Sequence, residues 1–340
     1  MSKVVTFGEL MLRLQPEGYL RISQADKFQA TFAGAEANVA VSLANFGEDV
    51  FFVSKIPDNL IGQAAVNSLR KYGVDTSFIK REGERLGLFY LEKGASQRPS
   101  VVNYDRKNSA VALSESGDFD WDKIFEGVSW FHFTGITPAL SDSLADICMD
   151  ALKIAKRLGI TVSCDINFRS KLWTKEKASS IMSRIFEHVD IAIANEDDIS
   201  DVFNICFDDI DTQNGVLSQK GYEYIARQLT EKFNLKMTAI TLRESISAND
   251  NKWSALLYDG QDFYNSKQYL IHIVDRVGGG DSFGAGFIYA LKNGFDPQKA
   301  IDFAVAASCL KQTIEGDYNQ VSVQEVMTLA NGSSTGRIKR

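Results

Sequence analysis

Short apolar runs recur along this chain and alternate with segments that have a helical pattern. Residues 141–158 and 175–188 carry apolar side chains three and four positions apart, as one face of a helix does. The apolar runs between such segments lie at 4–7, 50–56, 130–133, 160–166, 191–194, 237–242 and 254–258. Nearly continuous apolar strands that alternate with helices predict an α/β fold, in which a doubly wound, mostly parallel sheet carries helices on both faces. In such sheets ligands bind beyond the carboxyl ends of the strands.

Two segments, 9–32 and 86–112, interrupt this alternation with extended sequence and no convincing helix. Their alternating stretches predict antiparallel strands, which we expect to form a small β-sheet that stands off the main sheet as a lid. The alternative is that they are edge strands of the main sheet. We expect residues 1–330 to form one domain, and the Gly-, Ser- and Lys/Arg-containing segment 331–340 to be a disordered tail.

The composition limits the classes of partner. The chain has 340 residues and a formal net charge of −7, which argues against nucleic acid or an anionic membrane as a partner. A few arginines in one pocket would still suffice for a small anionic substrate. The sequence shows no signal peptide and no membrane-length apolar run, so we expect a cytoplasmic protein. The scattered cysteines have no CxxC spacing and predict reduced structural thiols: Cys148, Cys164, Cys206 and Cys309.

Residues 275–286 read Asp-Arg-Val-Gly-Gly-Gly-Asp-Ser-Phe-Gly-Ala-Gly. Glycines let the backbone approach a ligand closely, and a helix that begins behind them offers unpaired N–H groups to an anion. Asp281 is an odd residue to add to a site that only binds anions, but it suits the removal of a proton from a hydroxyl that attacks a phosphoryl group. The motif indicates a phosphotransferase; the alternative is a structural strand-to-helix connection.

Two further segments carry polar residues that suit a ligand. The segment 33–40 places Gly34 before a helix in which Asn38 lies among small apolar residues. Its amide offers a donor and an acceptor to sugar hydroxyls, or it is an ordinary buried amide bonded to backbone. The run 160–166 is followed by Asn167 and Arg169. An arginine there can hold a carboxylate or phosphate with two hydrogen bonds, and the alternative is a buried salt bridge.

The acidic segment 195–198 follows the run 191–194 and could support a magnesium ion through water, or simply be an acidic helix N-terminus. Other signatures are missing from the sequence: it has no GxxxxGK[ST] motif, no protein-kinase loop set and no HExxH. Its three histidines, His132, His188 and His272, leave little material for a zinc site or a histidine-based triad.

Together these segments resemble the ribokinase-like (PfkB) carbohydrate kinase family, from residue 4 to about 323. The segments 33–40 and 275–287 resemble its two signatures. Within the family the likeness is greatest to 2-keto-3-deoxygluconate kinases, on residues 104–106, 165–169, 172–173, 241–245 and 316–319.

The resemblance implies a ribokinase-like fold and an ATP-dependent sugar-acid kinase. This enzyme would phosphorylate the terminal (C6) hydroxyl of 2-keto-3-deoxygluconate to give 2-keto-3-deoxy-6-phosphogluconate. The alternatives are a neutral-sugar kinase of the fructokinase or ribokinase type and, more remotely, a catalytically silent sugar-binding regulator. The sequence does not separate gluconate-type from galactonate-type keto-acids.

The resemblance also implies roles for individual residues. Asp281 would be the catalytic base, and the N–H groups of residues 278–281 would form the anion hole. The sugar-acid pocket would be lined by Gly34, Asn38, Tyr90, Tyr104, Arg106, Arg169 and Asp317. The nucleotide would contact Asn167, Asn195, Arg243, Ser245, Ser247, Gly278 and Gly280, and Gly279 would belong with Gly278 and Gly280 to the catalytic turn. Asp198 would help to hold Mg²⁺ through water, Asp275 would lie near a monovalent cation such as K⁺, and the lid would join copies of the chain into a homo-oligomer.

Three positions depart from the family pattern. Ala33 stands where the first signature more often has glycine, which removes some backbone freedom. Asp198 stands where glutamate is usual and is shorter by one methylene, which alters its part in magnesium positioning. Gly279 replaces the commoner alanine in the central turn, a change that we expect to leave anion binding intact.

Overall fold

The computed structural model describes residues 3–207 and 218–332. Residues 333–340 of the predicted tail therefore lie outside the described residues. The strands are β1 (Lys3–Phe7), β2 (Met11–Gln15), β3 (Gln29–Ala33), β4 (Val50–Ile56), β5 (Ile79–Arg81), β6 (Gly87–Glu92), β7 (Val101–Asp105), β8 (Val128–Thr134), β9 (Thr161–Asp165), β10 (Ile191–Ala194), β11 (Met237–Ser245), β12 (Asp250–Tyr258), β13 (Phe263–Asn265) and β14 (Tyr269–His272).

The helices are α1 (Ala35–Asn45), α2 (Leu60–Arg70), α3 (Trp121–Ile124), α4 (Ile136–Ala139), α5 (Asp142–Arg157), α6 (Lys175–Phe186), α7 (Glu196–Phe203), α8 (Gln219–Phe233), α9 (Gly279–Lys292), α10 (Pro297–Lys311) and α11 (Val323–Ala330). Among the described residues, no helix combines the length and the apolar character that crossing a membrane requires.

In the described part of the chain, ten strands form one large sheet. Its order is β13-β12-β11-β10-β9-β8-β1-β4-β5, with β14 paired to β12. The strands from β11 to β5 in this order pair in parallel, and β12, β13 and β14 add an antiparallel edge. The predicted doubly wound, mostly parallel sheet is confirmed. The run predicted at 254–258 is the end of a longer strand, because β12 already begins at Asp250.

Helices cover both faces of this sheet. In β1, Val4 belongs to a core that includes residues of α1, α9 and α10, whereas Val5 belongs to a second core with residues of α5, α6 and α8. Ile193 and Ala194 of β10 divide between the two cores in the same way. Successive side chains of a strand point to opposite faces, so a strand buried on both faces needs apolar residues at every position. This is why the strand runs are nearly continuous in sequence.

Helices α9 and α10 pack closely against each other. A Cβ atom on Gly286 of α9 would lie 3.1 Å from both Ala304 Cα and Ala307 Cβ of α10. Helix α10 is buried along most of its length, including its last residue, Lys311. This packing fixes the N-terminus of α9 at the carboxyl edge of the large sheet.

A separate sheet of four strands, in the order β3-β2-β6-β7 among the described residues, forms the lid. The predicted separate small sheet is confirmed, and the alternative of edge strands in the main sheet is wrong. The lid strands are not all antiparallel as predicted, because β2 and β6 pair in parallel. Side chains alternate across it, so Met11 and Phe89 face the large sheet, whereas Leu14 and Tyr90, paired across β2 and β6, face outward. The extent of the single domain, 1–330, stays a prediction.

Candidate active site

A cavity of about 410 Å³ lies between the carboxyl edge of the large sheet, the inner face of the lid and the N-terminus of α9. It brings together most of the residues that the sequence predicts for the site. Those that line it are Gly34, Asn38, Tyr104, Arg106, Asn167, Arg169, Asn195, Asp198, Arg243, Gly278, Gly279, Gly280, Asp281 and Asp317. Among the described residues, the predicted site residues outside this lining are Tyr90, Ser245, Ser247 and Asp275.

Tyr90 and the two serines are therefore placed away from the cavity. The ring of Tyr90 contacts Phe28 on the outer face of the lid, with 6.1 Å between the ring centroids, while the neighbouring Phe89 lines the cavity. Neighbouring residues of a strand point to opposite faces, so a difference of one position decides which of them faces the cavity. Phe89 therefore lines the cavity, where the prediction had placed Tyr90. Ser247 lies in the turn between β11 and β12, where its Oγ donates to Asp250 Oδ2 over 2.9 Å.

The glycine turn forms an anion site at the N-terminus of α9. Gly278 has φ +81°, and a Cβ there would lie 2.1 Å from the carbonyl oxygen of Asp317, so the position requires glycine. A Cβ on Gly280 would meet no atom within 4 Å, because this residue faces open space. Among the described residues, the N–H groups of Gly280 and Asp281 donate to no protein atom. Two free N–H groups at a helix N-terminus suit a phosphoryl oxygen.

Asp281 sits in the first turn of α9 beside these N–H groups and is half-buried. Burial raises the pKa of its carboxyl to about 7; the hydrogen bond from Asn38 acts in the opposite direction, and the charge of Asp317 adds to the rise. A carboxylate with a pKa near neutrality is well matched to removing a proton from a hydroxyl group. The geometry is thus that of an anion site with a general base at its edge.

Asn38 connects helix α1 to the base. Its Nδ2 donates to Asp281 Oδ2 over 2.6 Å, and its Oδ1 accepts from the N–H of Gly34 at 3.4 Å. The backbone at Gly34 approaches so closely that a Cβ there would lie 1.9 Å from the carbonyl oxygen of Glu9. The amide predicted to bind the sugar is therefore engaged with the base, and a sugar contact by Asn38 stays a prediction.

The two predicted substrate arginines differ in their environment. Arg106 is buried, and its guanidinium binds the carboxylate of Glu9 through Nε, at 2.7 Å, and through Nη2. Arg169 is exposed to the cavity; its Nη1 donates to the carbonyl oxygen of Phe168 at 2.9 Å. Among the described residues, no carboxylate forms an ion pair with Arg169. Arg169 is consequently the arginine available to a substrate carboxylate, whereas Arg106 is held in place by Glu9.

A group of acidic residues lines the cavity beside Arg169, where the N–H of Phe168 donates to Asp198 Oδ1 at 3.2 Å. Burial raises the pKa of Asp198 to about 7 and raises that of Asp165 well above its ordinary value. Asn195 caps helix α7: its Oδ1 accepts from the N–H of Asp198 at 2.8 Å, and its Nδ2 donates to Asp198 Oδ2 at 3.0 Å. Asn167 has φ +42° and donates weakly to Asp165, at 3.4 Å.

Within residues 3–207 and 218–332, no group of three His, Cys, Asp or Glu side chains is arranged to hold a metal ion by itself. Ionisation of these buried carboxylates is costly without a cation nearby. They therefore suit a magnesium ion, which keeps several of its waters and takes further ligands from a substrate phosphate. The part of Asp198 in holding this ion through water stays a prediction.

Two arginines lie on the side of the cavity nearest β11. Arg243 and Arg276 both line it, and neither forms an ion pair with a carboxylate of the described residues. Arg276 Nη2 donates to the carbonyl oxygen of Ala248 at 3.2 Å. Burial and the nearby charge of Arg243 lower the pKa of Arg276. Two cations that repel each other beside an anion site are suited to a polyphosphate.

Arg13 of lid strand β2 joins the two aspartates that flank the glycine turn. Its Nη2 donates to Asp275 Oδ2 at 2.6 Å and its Nη1 to Asp317 Oδ1. Both carboxylates are buried, and that of Asp275 also accepts from the N–H of Gly316 at 3.1 Å. Sequence reasoning missed Arg13, although it alternates with Met11 on the inner face of β2. A sugar contact by Asp317 and a cation contact by Asp275 stay predictions. Both carboxylates already bind Arg13.

The fold and the cavity together define an α/β phosphotransferase, because an anion-binding turn, a neighbouring base and unpaired arginines meet at the carboxyl edge of a parallel sheet. The chain belongs to the pfkB family of carbohydrate kinases, whose family model matches residues 1–323.

Similar proteins cover almost the whole chain. A 2-dehydro-3-deoxygalactonokinase from Haloferax volcanii is 32% identical over 335 residues, which are 98% of this chain and 98% of that protein. A 2-dehydro-3-deoxygluconokinase from Bacillus subtilis is 27% identical over 323 residues, 94% of this chain and 93% of that protein. The crystal structure of 2-dehydro-3-deoxygluconokinase from Thermotoga maritima is 51% identical, with a TM-score of 0.94 over 97% of this chain and 98% of that one.

Proposed function

We propose that this chain transfers the γ-phosphoryl group of ATP to the terminal hydroxyl of 2-keto-3-deoxygluconate, also named 2-dehydro-3-deoxygluconate. The observation that carries this proposal is that one cavity holds both an anion site with a base, at Gly280 and Asp281, and an unpaired arginine, Arg169. The first suits the transferring phosphoryl group, and the second suits the carboxylate of a sugar acid.

In the proposed reaction, Asp281 accepts the proton of the terminal hydroxyl as the oxygen attacks the γ-phosphorus. The new O–P bond forms as the bond to the ADP oxygen breaks, and the proton leaves with the carboxyl group of Asp281. The N–H groups of Gly280 and Asp281 donate to the phosphoryl oxygens, on which negative charge is spread during transfer. Positioning of the two reactants and stabilisation of this charge supply most of the rate.

The same cavity is suited to ATP, the second substrate, and to the Mg²⁺ ion that accompanies it. Arg243 and Arg276 would bind the polyphosphate, and Asp198 with Asp165 would hold the ion through its water ligands. When bound, Mg²⁺ neutralises charge on the phosphate oxygens. The raised pKa values of Asp165 and Asp198 follow from burial, so these carboxylates gain from a nearby cation.

A sugar acid is favoured over a neutral sugar because Arg169 faces the cavity and forms no direct ion pair with a carboxylate of the described residues, although its charge acts on the nearby Asp165 and Asp198. The names of the similar proteins, which are kinases of 3-deoxygluconate and 3-deoxygalactonate keto-acids, support the same class of substrate. A kinase for fructose or ribose is the second candidate, and its pocket would need no such arginine. A catalytically silent regulator is disfavoured by the free N–H groups and the base that the cavity combines.

The test is an ATP-consumption assay with both epimers of the keto-deoxy acid, with fructose and with ribose, followed by phosphorus NMR of the product. We expect turnover of the acids to exceed that of the neutral sugars, with phosphate on C6, and Asp281→Ala to lower kcat by about 100-fold or more. A preference for a neutral sugar, or near-normal turnover by Asp281→Ala, would overturn the proposal.

Two finer assignments are part of this proposal. The first is that the protein acts in the cytoplasm. The second is a homo-oligomer in which the lid of one copy covers the lid of another. Its support is the outer face of the lid, where Phe28 and Val101 are 37% and 43% exposed. Val101→Glu should shift sedimentation toward the monomer, whereas Leu158→Glu, at an exposed apolar position just after the last residue of α5, should not. The monovalent cation that the resemblance implies near Asp275 is left out of the proposal, because Arg13 already binds that carboxylate.

A further inference from the structure

The ammonium group of Lys311 lies directly behind the anion-binding turn. Lys311 is the last residue of α10, and its side chain is 0% exposed. Its Nζ donates to the backbone carbonyl oxygen of Asp275 at 3.0 Å and to that of Val277. These two carbonyls belong to the segment that leads into Gly278. This wholly buried lysine therefore donates hydrogen bonds to the backbone that leads into the catalytic turn.

A buried ammonium group is costly unless its charge is balanced and its donors are satisfied. The balancing charges are the carboxylates of Asp275 and Asp317, which already receive their hydrogen bonds from Arg13. Burial is the largest influence on the pKa of Lys311 and lowers it, while the charges of the two aspartates raise it. The negative end of the α10 dipole favours the ammonium form as well. Lys311 is thus free to bind the two carbonyls instead of an acid.

These contacts fix the direction of the N–H groups in the turn. A trans peptide group is planar, so its N–H points away from the partner of its C=O. Because the carbonyl oxygens of Asp275 and Val277 accept hydrogen bonds from Lys311, the N–H groups of Arg276 and Gly278 point away from the lysine. Within the described residues neither N–H donates to a protein atom, and both residues line the cavity. A positive charge on the carbonyl side also polarises the peptide groups and strengthens their N–H donors.

The end of α10 supports the turn at further points. Ser308 Oγ donates to the carbonyl oxygen of Gly279 at 2.7 Å, and the carbonyl oxygen of Gln312 accepts from the N–H groups of Val274 and Asp275 at 2.9 and 3.2 Å. The turn is therefore held from behind by one helix end, and Lys311 supplies the only charged donor among these supports.

We propose that Lys311 is a positioning residue for phosphoryl transfer: a built-in cation that orients the anion-binding turn and occupies the place that a free monovalent cation would need. Backbone carbonyl oxygens that converge on one point are what a hard monovalent cation binds, and here the ammonium group takes that position. This inference rests on the proposed kinase activity. It predicts that turnover does not depend on K⁺, because the required charge is part of the chain.

The first experiment needs no variant. The kinase rate of the wild type is measured in buffers whose only monovalent cation is K⁺, Na⁺, NH₄⁺ or tetramethylammonium, with whichever sugar the protein turns over. We expect kcat to change by less than about twofold across the series, since tetramethylammonium is too large to bind two carbonyls in a buried site. An activation by K⁺ of about tenfold over tetramethylammonium would overturn the proposal.

The second experiment removes the ammonium group. Lys311→Ala leaves space for an ion, and Lys311→Met fills that space without charge. We expect both to lower kcat by about 100-fold, as the loss of one transition-state donor does, with a smaller change in the KM for ATP. We expect NH₄⁺ or K⁺ to raise the kcat of Lys311→Ala by about tenfold in a saturable way. We expect the same ions to leave the kcat of Lys311→Met unchanged. Lys299→Ala, at an exposed lysine of the same helix, controls for the general effect of salt.

Wild-type kcat in Lys311→Ala would overturn the proposal, and so would a folded Lys311→Ala protein that no monovalent cation rescues. If neither variant folds, the wild-type cation series alone decides. A wrong substrate assignment would appear differently, as low turnover of the keto-deoxy acids by the wild type in every cation.

Discussion

The amide of Asn38 donates from Nδ2 to Oδ2 of Asp281 over 2.6 Å, which joins helix α1 to the first turn of α9 across 243 residues of sequence. A hydrogen bond to the ionised carboxylate favours that form, so Asn38 keeps the pKa of Asp281 lower than burial alone would leave it. The contact thus sets the pH range in which the base is active as well as its position.

Asn38→Ala should move the activity of the enzyme to higher pH. A base must be ionised to accept a proton, so kcat/KM of the wild type should rise with pH through about 7, the pKa of Asp281. Without the hydrogen bond that pKa rises further, and kcat/KM at pH 6.5 should fall by about tenfold while the loss at pH 9 is smaller. The measurement is the pH profile of kcat/KM. Asn45→Ala, which removes an amide of the same helix that binds Asn319 instead, should leave the profile unmoved.

Asp281→Asn should abolish turnover and yet stabilise the folded protein at alkaline pH. The folded-state pKa is raised from 3.8 to about 7, so ionisation of this carboxyl destabilises the folded state. The penalty is absent below about pH 4, grows as the pH rises toward 7, and is complete above it. Asparagine does not ionise, so the Tm of the variant should exceed that of the wild type at pH 8 and equal it at pH 4. A lower Tm for the variant at pH 8 would contradict the raised pKa.

Arg169→Ala and Arg106→Ala should separate substrate binding from structural support. Arg169 has no carboxylate partner among the described residues, so its loss should raise the KM for the keto-deoxy acid by about 10- to 100-fold and leave the Tm unchanged. Loss of Arg106 leaves Glu9 buried without its cation, at a cost of about 3 kcal/mol to the free energy of unfolding. Steady-state kinetics and thermal melts decide between these outcomes; equal KM values for Arg169→Ala and the wild type would refute the assignment of Arg169.

Arg276→Ala should weaken the binding of ATP more than that of the sugar. Arg276 and Arg243 are neighbouring cations whose repulsion a polyphosphate would relieve, so the variant should raise the KM for ATP by about tenfold. It should also make this KM less sensitive to ionic strength, because one charge contact is gone. Titration of ATP at two salt concentrations checks both effects. Arg227→Ala, at an arginine that packs over the rings of Tyr258 and Phe263, is the control variant.

Gly278→Ala and Gly280→Ala should differ although the residues are two positions apart. A Cβ at Gly278 would lie 2.1 Å from the carbonyl oxygen of Asp317, at φ +81°, so this variant should lose several degrees of Tm as well as activity. A Cβ at Gly280 meets no protein atom within 4 Å, so its Tm should match the wild type while kcat falls, since the methyl group projects into open space at the anion site. Full activity in Gly280→Ala would show that phosphate does not approach this face of the turn.

The fold was largely predictable because its strands are buried on both faces and therefore read as continuous apolar runs. The lid was predictable for the opposite reason, since its extended segments lack a helical period. The glycine turn could be recognised because its residues are contiguous. Arg13 and Lys311 could not be found in this way: each acts on residues more than 30 positions distant, and each lies in a pattern that also describes an ordinary strand or helix end. Tyr90 was predicted to face the cavity, but it lies on the outer face of the lid. Which residues of a lid strand face inward depends on the register of that strand, and the sequence does not determine this register to within one residue.

The ion pairs of Arg13 limit how the enzyme can admit and release its substrates. Arg13 belongs to the lid, and its partners Asp275 and Asp317 belong to the body of the protein beside the glycine turn. To lift the lid at β2, a guanidinium and two carboxylates would have to separate and be hydrated. Strand β7, which β6 separates from β2, forms a border of the lid, and Tyr104 on this strand is 42% exposed. We therefore expect the lid to open first on the β7 side, so that the sugar enters and leaves there while Arg13 stays paired with Asp275 and Asp317.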